Sequence, residues 1–217
     1  MGKVRLDISM SLDGFIAGPD ATLEAPLGVN GLDLHEWVFG LKTFRETHGM
    51  GEGGLENRDD EIVAESLAST GAVIMGRKMF SGGAGPWEDD PNAAAWWGDE
   101  PPFGVSVFVL THHPRATEHK TGGTTFVFVT DGIESALGQA RDAAGDKDVL
   151  VAGGADVAQQ YLRAGLLDEL QIHLAPVFLG SGTRLFDGIA PDSAGLVPER
   201  VVAATPSVTH LRYSVRV

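Results

Sequence analysis

The sequence predicts an α/β fold of three layers, α-β-α, with a mostly parallel central sheet and antiparallel strands at its C-terminal side. Three observations predict it. Short apolar runs at residues 72–75, 105–110, 126–129 and 149–152 alternate with segments of helical spacing, the order that produces a parallel sheet with helices on its faces. In the tail, Leu170, Ile172 and Leu174 alternate with polar residues, as do Leu211, Tyr213, Val215 and Val217, with Pro and Gly turns between, which reads as an antiparallel edge. No internal repeat or polar linker divides the 217 residues, so residues 1–217 read as one domain, large enough to bury roughly 70% of its unfolded surface.

The elements follow in order. Val4, Leu6, Ile8 and Met10 alternate with polar residues, the pattern of a half-buried first strand. The segment from Pro19 to Asn57 is long for a connection, and Leu34, Trp37, Val38 and Leu41 within it have helical spacing; insertions of this kind often cover a ligand. Asn57 to Thr70 reads as a helix with Val63, Ala64 and Leu67 on its apolar face, and Asp131 to Ala144 as another. Ala155 to Ala164 reads as a helix closed by Gly165. The Gly-rich stretches 49–54 and 81–85 read as mobile loops. Trp87, Trp96 and Trp97 read as packing or dimer-surface residues, although Trp37 or Trp87 beside a cleft could stack on a flat heterocycle. Asp89-Asp90 before Pro91 reads as a solvated turn.

Composition excludes several function classes. A formal charge of −14 disfavours nucleic acid and anionic membranes as partners, which need a basic face. It leaves room for an anionic cofactor, because screening over about 8 Å lets a local basic cluster act against the global sign. The absence of cysteine removes disulfides and thiolate metal sites and suits a reducing cytoplasm. No signal peptide and no apolar run near the ~20 residues of a membrane helix is visible, so a cytoplasmic protein is expected. His35-Glu36-Trp37 lacks the second histidine of a zinc helix, and no metal is expected.

The chemistry concentrates at Gly153-Gly154, where an apolar run stops and a helix opens at once. Without Cβ atoms the backbone can approach a pyrophosphate, and the first N–H groups of the helix point at the anion. A tight strand-to-helix turn also needs glycine when nothing binds.

Five motifs occur in an order that identifies a family. They are Ser11-Leu12-Asp13-Gly14-Phe15-Ile16-Ala17-Gly18, Val73-Ile74-Met75-Gly76-Arg77-Lys78, Val109-Leu110-Thr111-His112-His113-Pro114, Gly153-Gly154-Ala155 and Leu167-Asp168-Glu169-Leu170. Together they resemble the reductase domain of riboflavin-biosynthesis deaminase-reductases and its stand-alone relatives of dihydrofolate-reductase-like fold. The resemblance implies an NADPH-dependent reductase, commonly a homodimer, acting on a small heterocyclic substrate such as a pyrimidine of riboflavin biosynthesis. It implies no deaminase domain, since no zinc-ligand motif is present.

In that reading Gly76 allows close backbone approach, Arg77 forks onto a phosphate and favours NADPH over NADH, and Lys78 lies beside it. Thr111 and one of His112 and His113 hold the adenosine-side phosphate; adjacent strand residues face opposite sides, so both histidines rarely touch one ligand. Gly153, Gly154 and Ala155 form the cradle, and Gly180 of Gly180-Ser181-Gly182-Thr183 lies near the cofactor. The loop carrying Asp13, Ile16 and Ala17 folds over the nicotinamide and excludes water, with Asp13 a catalytic candidate. Phe15 stands where the riboflavin enzymes usually carry Lys or Arg, which points to a flatter or more apolar substrate than a ribose phosphate.

The acid of the reaction is expected at Asp60, sixteen positions before Gly76, the spacing of the substrate-binding acid in dihydrofolate reductases. A carboxyl leaning on Val63, Ala64 and Leu67 would have a raised pKa suited to a general acid. Equally, Asp60 at the third helical position could only complement the helix dipole. Asp59 or Glu61 is the counterpart if the alignment slips by one. Two alternatives stand beside this reading. One is a dihydrofolate or pterin reductase, against which Ala64 occupies the position of a large aromatic; the other is a dinucleotide-binding module without turnover.

Overall fold

The computed structural model describes residues 2–93, 97–190 and 195–216. Its strands are β1 (Val4–Ser11), β2 (Phe15–Ala17), β3 (Thr70–Gly76), β4 (Ser106–Leu110), β5 (Glu118–His119), β6 (Thr125–Val129), β7 (Asp148–Gly153), β8 (Glu169–Ala175), β9 (Thr183–Arg184), β10 (Gly195–Thr205) and β11 (Val208–Arg216). The helices are α1 (Glu36–Phe39), α2 (Lys42–Thr47), α3 (Arg58–Ser69), α4 (Arg77–Ser81), α5 (Ile133–Ala144) and α6 (Ala155–Arg163). A nine-stranded sheet has the order β10-β11-β8-β1-β7-β3-β4-β6-β5. The run β8-β1-β7-β3-β4-β6 is parallel.

The strands that carry Leu170, Ile172 and Leu174 and Leu211, Tyr213 and Val215 form the expected antiparallel edge, and the first of them also joins the parallel run. β8 lies parallel to β1 from Arg5↔Glu169 to Ser11↔Ala175, because α6 returns the chain before it. β11 then pairs antiparallel with β8, and β10 with β11. β10 was not visible as a strand: Pro198 and Glu199-Arg200 interrupt its pattern, and the register shifts there. Val217 and Trp96 fall outside the described residues.

The two sheet faces are unlike. On one, α5 and α6 cover Val4, Leu6, Ala72, Ile74, Phe108, Val149 and Val151, with Tyr161 fully buried and its hydroxyl donating to Ile133 O at 2.8 Å. That bond satisfies the one polar atom an otherwise apolar ring brings into the core. The opposite face is split. Under α4, Val73, Met75, Phe80, Val107, Val109 and Phe126 form a second apolar cluster, joined by Trp87 and Trp97. Under α3, β1 presents Arg5, Asp7, Ser9 and Ser11 instead, and β8 presents Gln171 and His173.

The predicted half-buried first strand is therefore central and covered on both sides. Its polar residues face a helix, not water, and Arg5, Ser9 and Ser11 are buried. The matching side of α3 is also polar. Asp59, Ile62 and Ser66 face the sheet, while Leu67, expected on the apolar face, is exposed. Arg5 donates to Ser66 O and Thr70 Oγ1 at 3.1 Å, and Ser66 Oγ donates to Asp7 at 2.7 Å. Buried polar groups are tolerated here because they are paired with one another.

The segment 19–56 forms a cover of a 3-10 turn (Gly31–Leu34), α1 and α2, with Leu34, Val38 and Leu41 buried as their spacing predicts. It reaches from Leu23, whose carbonyl accepts from Asn92 Nδ2, to Thr43, whose N–H donates to Asp60 Oδ1 at 2.8 Å. No helix among the described residues is long and apolar enough to cross a membrane.

A candidate dinucleotide site at the carboxyl edge of the sheet

Parallel strands end on one side, so the segments after β8, β1, β7, β3 and β4 line a single edge. In that spatial order the edge carries Gly180, Asp13, Gly153-Gly154-Ala155, Gly76-Arg77-Lys78 and Thr111-His112-His113. Motifs dispersed over 168 residues of sequence become neighbours at the strand spacing of roughly 4.8 Å.

The centre of this row is open backbone. Gly76 caps α4 and Gly154 caps α6, and Met75 pairs with Gly153. A Cβ on Gly76 would lie 2.9 Å from Val157 Cγ2 and within 3.8 Å of Gly153 O and Gly154 N, so the two strand-to-helix turns are in contact. Gly153 has φ 112°, and the Gly153–Gly154 peptide is cis. At Gly154 an added Cβ would meet no atom within 4 Å. The N-terminus of the nine-residue α6 thus opens onto free space, where its first N–H groups can face an anion. Ala155 is its buried first residue.

Arg77 has a partner within the chain. Its guanidinium is buried, with Nη2 2.6 Å from Asp90 Oδ2, and Nη1 donates to Ser81 Oγ, which itself donates to Asp90 at 2.6 Å. The guanidinium carbon lies 3.6 Å from the centre of the Trp87 ring, and Arg115 lies 4.7 Å from the same ring. Asp90 is no solvated turn. Burial alone would raise its pKa, but the hydrogen bonds from Ser81 and Arg77 and the Asn92 amide hold the carboxyl below the usual range. In this arrangement the phosphate fork is occupied by an internal carboxylate. Lys78, one position on, is exposed.

The strand-end triplet is also partly spent. Thr111 is buried and its hydroxyl accepts the His113 N–H at 3.1 Å, while His113 O accepts from Trp87 Nε1 at 2.8 Å. His112 is the exposed histidine of the pair.

Asp13 ties two loops together. Its Oδ1 accepts from Ser11 Oγ at 2.6 Å and from Leu179 N at 3.2 Å, and Oδ2 accepts from Gly180 N at 2.7 Å. The Ser11 hydroxyl, with the Gly180 and Leu179 amides, holds this carboxyl below its ordinary value, against a smaller effect of burial. A carboxylate so engaged acts as an acceptor that joins the loop after β1 to the Gly180 turn. Gly180 is exposed with φ 72°. In β2, Ile16 is buried in the core and Ala17 is half-buried; β2 pairs with β9, and Arg184 stacks 4.1 Å from the Phe15 ring centre. A shallow cleft beside this ribbon is lined by Gly14, Arg184, Phe186 and Asp187.

The three acids that spacing could not rank have separate tasks. Asp59 turns into the sheet and accepts from Thr205 Oγ1 at 2.6 Å, and Glu61 turns out to Arg58. Asp60 is buried at the third position of α3, where its N–H donates to Asn57 Oδ1 and its Oδ1 accepts from Thr43. Sequence reasoning missed Asp7, His173 and His210, which lie on one face of β1, β8 and β11. The available signal was the alternation of polar groups with apolar ones in these strands.

A family model described as the RibD C-terminal domain matches residues 2–209. The "Uncharacterized protein YyaP" of Bacillus subtilis (strain 168) is 22% identical over 191 residues, which cover 85% of this chain and 80% of that protein. Among solved structures, a protein of Shewanella sp. PV-4 described as a riboflavin biosynthesis protein has a TM-score of 0.62 at 21% identity, with 99% of each chain covered. Acinetobacter baumannii RibD has a TM-score of 0.58 at 18% identity over all of this chain and 58% of that one. The Thermotoga maritima diaminohydroxyphosphoribosylaminopyrimidine deaminase/5-amino-6-(5-phosphoribosylamino)uracil reductase has a TM-score of 0.55 at 16% identity, over 99% of this chain and 57% of that one. The chain thus spans a little over half the length of these last two proteins. At such identities the likeness establishes the fold, which is that of their dihydrofolate-reductase-like reductase domain.

Proposed function

The chain belongs to the RibD C-terminal domain family, and we propose that it is an NADPH-dependent reductase that passes hydride to a small heterocyclic substrate. The observation that carries this reading is the contact between the Gly76 and Gly153-Gly154 turns at the centre of the carboxyl edge, beside the open N-terminus of α6. That cradle fits a dinucleotide: backbone N–H groups at Gly154 and Ala155 would take the pyrophosphate, with the Thr111-His112-His113 turn on one side and the Asp13–Gly180 loops on the other. When bound, NADPH supplies the hydride.

The residues around the cradle bind, orient and exclude water. Asp13 fixes the loop after β1 to Gly180, so the two loops act as one cover. Phe15, buried beneath Arg184, cannot replace a cation that grips a ribose phosphate, which favours a flatter ring or a pyrimidine without that phosphate. Arg77 is held by Asp90, so a preference for the 2′-phosphate of NADPH rests on exchange of that carboxylate for phosphate or on Lys78 and His112.

Asp60 is the proposed proton relay. α3 runs back from the carboxyl edge into β3, so its first turn lies at that edge beneath the 19–56 cover, which supports this role. Asp60→Asn keeps an oxygen for the Thr43 N–H. It is expected to leave NADPH affinity unchanged and to lower turnover at least about a hundredfold, the usual scale for general acid catalysis. Equal turnover would assign Asp60 to joining α2 and α3 only.

The reading is tested by titrating the protein with NADPH and NADH while following tryptophan quenching and cofactor emission. Saturable NADPH binding supports it and justifies a screen of pyrimidines and pterins; absence of binding by either cofactor overturns it. Sedimentation at micromolar concentration tests the proposed homodimer, which a monomer alone would refute.

A further inference from the structure

The polar half of the sheet holds a buried chain of titratable groups that the proposed reduction does not use. His173 Nε2 lies 2.6 Å from Asp7 Oδ1, His173 Nδ1 lies 2.6 Å from His210 Nδ1, and His210 Nε2 lies 3.1 Å from Asp59 Oδ1. Both ends are closed. Asp7 Oδ2 accepts from Ser66 Oγ and from Gln171 Nε2, and Asp59 Oδ2 accepts from Thr205 Oγ1.

The contacts fix the number of protons. Each of the three links needs one proton between its heavy atoms, since two lone pairs at such distances repel. Two neutral imidazoles bring two. The chain Asp7–His173–His210–Asp59 therefore holds one proton more, and two carboxylates flank one positive charge. Burial, followed by the charge on His173, lowers the His210 pKa. The charge and hydrogen bond of His173 in turn hold Asp7 well below its ordinary value despite a larger opposing effect of burial.

Trp37 of α1 is seated on this pair. Its ring centre is 4.7 Å from that of His173 and 5.2 Å from that of His210, and its Nε1 donates to Ser9 Oγ at 3.2 Å. A cation held against an indole face is attractive, more so when desolvated. We propose that Asp7, His173, His210 and Asp59 share one extra proton, and that the resulting histidine cation is a pH-sensitive seat for Trp37 that latches the 19–56 cover onto the sheet.

The direction follows from the count. On the acid side the proton is present and Trp37 is seated. As pH rises the proton leaves to solvent, the two Nδ1 lone pairs face each other, the rings part, and Trp37 loses its cation. The other charged groups facing the chain are Arg5 on β1, which adds to the lowering of Asp7, and His35 beside Trp37, whose pKa burial lowers and the His173 charge lowers further. On the neighbouring strand Arg212 is engaged by Gln171, Glu65 and Glu169. The latch is independent of the reductase reading.

The test is a pH titration of protein labelled with 15N at histidine, with tryptophan emission followed in parallel and assigned by Trp37→Phe. Three ring N–H protons shared by His173 and His210 are expected on the acid side, one of them far downfield, with loss of one proton as pH rises. Trp37 emission should increase with the same midpoint as imidazolium quenching ends, and His210→Asn, which takes away one imidazole and its link to Asp59, should move that midpoint. Two ring protons throughout, emission that ignores the histidine titration, or a midpoint unmoved in His210→Asn would overturn the proposal. Should His210→Asn fail to fold, the proton count and the emission of the wild-type protein decide alone.

Discussion

Asp90→Ala is expected to cost about 3–5 kcal/mol of unfolding free energy, the usual penalty for removing one partner of a buried ion pair. The side chains of Arg77 and Asp90 are only 7% and 3% exposed, so water cannot replace the lost carboxylate. Ser81 Oγ loses its acceptor in the same change, and Arg77 Nε already has no hydrogen-bond partner. Urea denaturation of the wild type and the variant measures the difference. The double change Arg77→Met with Asp90→Leu removes both charges and keeps an apolar group on Trp87; it should recover most of the loss, since a well-packed apolar pair is often as stable as the ions it replaces.

The pH dependence of this effect has a definite sign. Asp90 is held below the usual carboxylate range, so the pair contributes fully above the unfolded carboxylate pKa, and the contribution is lost as pH falls through the folded value. Asp90→Ala should flatten that acid limb of the stability curve. A cost below about 1 kcal/mol, the range of solvent-exposed pairs, would mean that the guanidinium is free in solution. Arg77 would then be available to a phosphate, as its motif implies.

Gly154→Val is expected to retain the fold and to weaken NADPH binding on the order of a hundredfold or more, about 2.7 kcal/mol. Gly154 has φ −68°, within reach of any L-residue, and its absent side chain would enter open space. The position demands no small residue for packing. A valine there would instead occupy the space in which a pyrophosphate meets the α6 N-terminus. Gly76→Ala is the control of opposite character, because its Cβ would press on Val157 at 2.9 Å and reduce stability directly. Unchanged NADPH affinity in a folded Gly154→Val protein would remove the cradle from the binding site.

The sequence was most informative where local pattern and function coincide. The buried runs that became β3, β4, β6 and β7, the helices α3, α5 and α6, and the glycine turns after β3 and β7 were all legible, since periodicity and turn chemistry act over a few residues. β10 was hidden by its proline and irregular register, and the antiparallel edge formed by β8 and β11 was legible whereas the parallel pairing of β8 with β1 was not, because strand direction depends on where the chain has been and not on alternation. At the carboxyl edge, the strand-to-helix turns at Gly76 and Gly153-Gly154 were readable. The states of Arg77, Asp13 and Thr111 were not, because each side chain is committed to a partner elsewhere in the chain or within its own turn.

By itself, then, the sequence determined the layers, the order of the helices and parallel strands, and the row of glycine and polar motifs that meet at one edge. Only the tertiary structure decided which charges are free. Asp90 lies thirteen residues from Arg77, and His173 and His210 lie 37 apart with Asp7 and Asp59 far upstream. Whether a carboxylate binds a ligand, relays a proton or neutralises a buried cation depends on what stands within about 3 Å of it. That proximity is set by sheet order and helix docking, which no local spacing encodes.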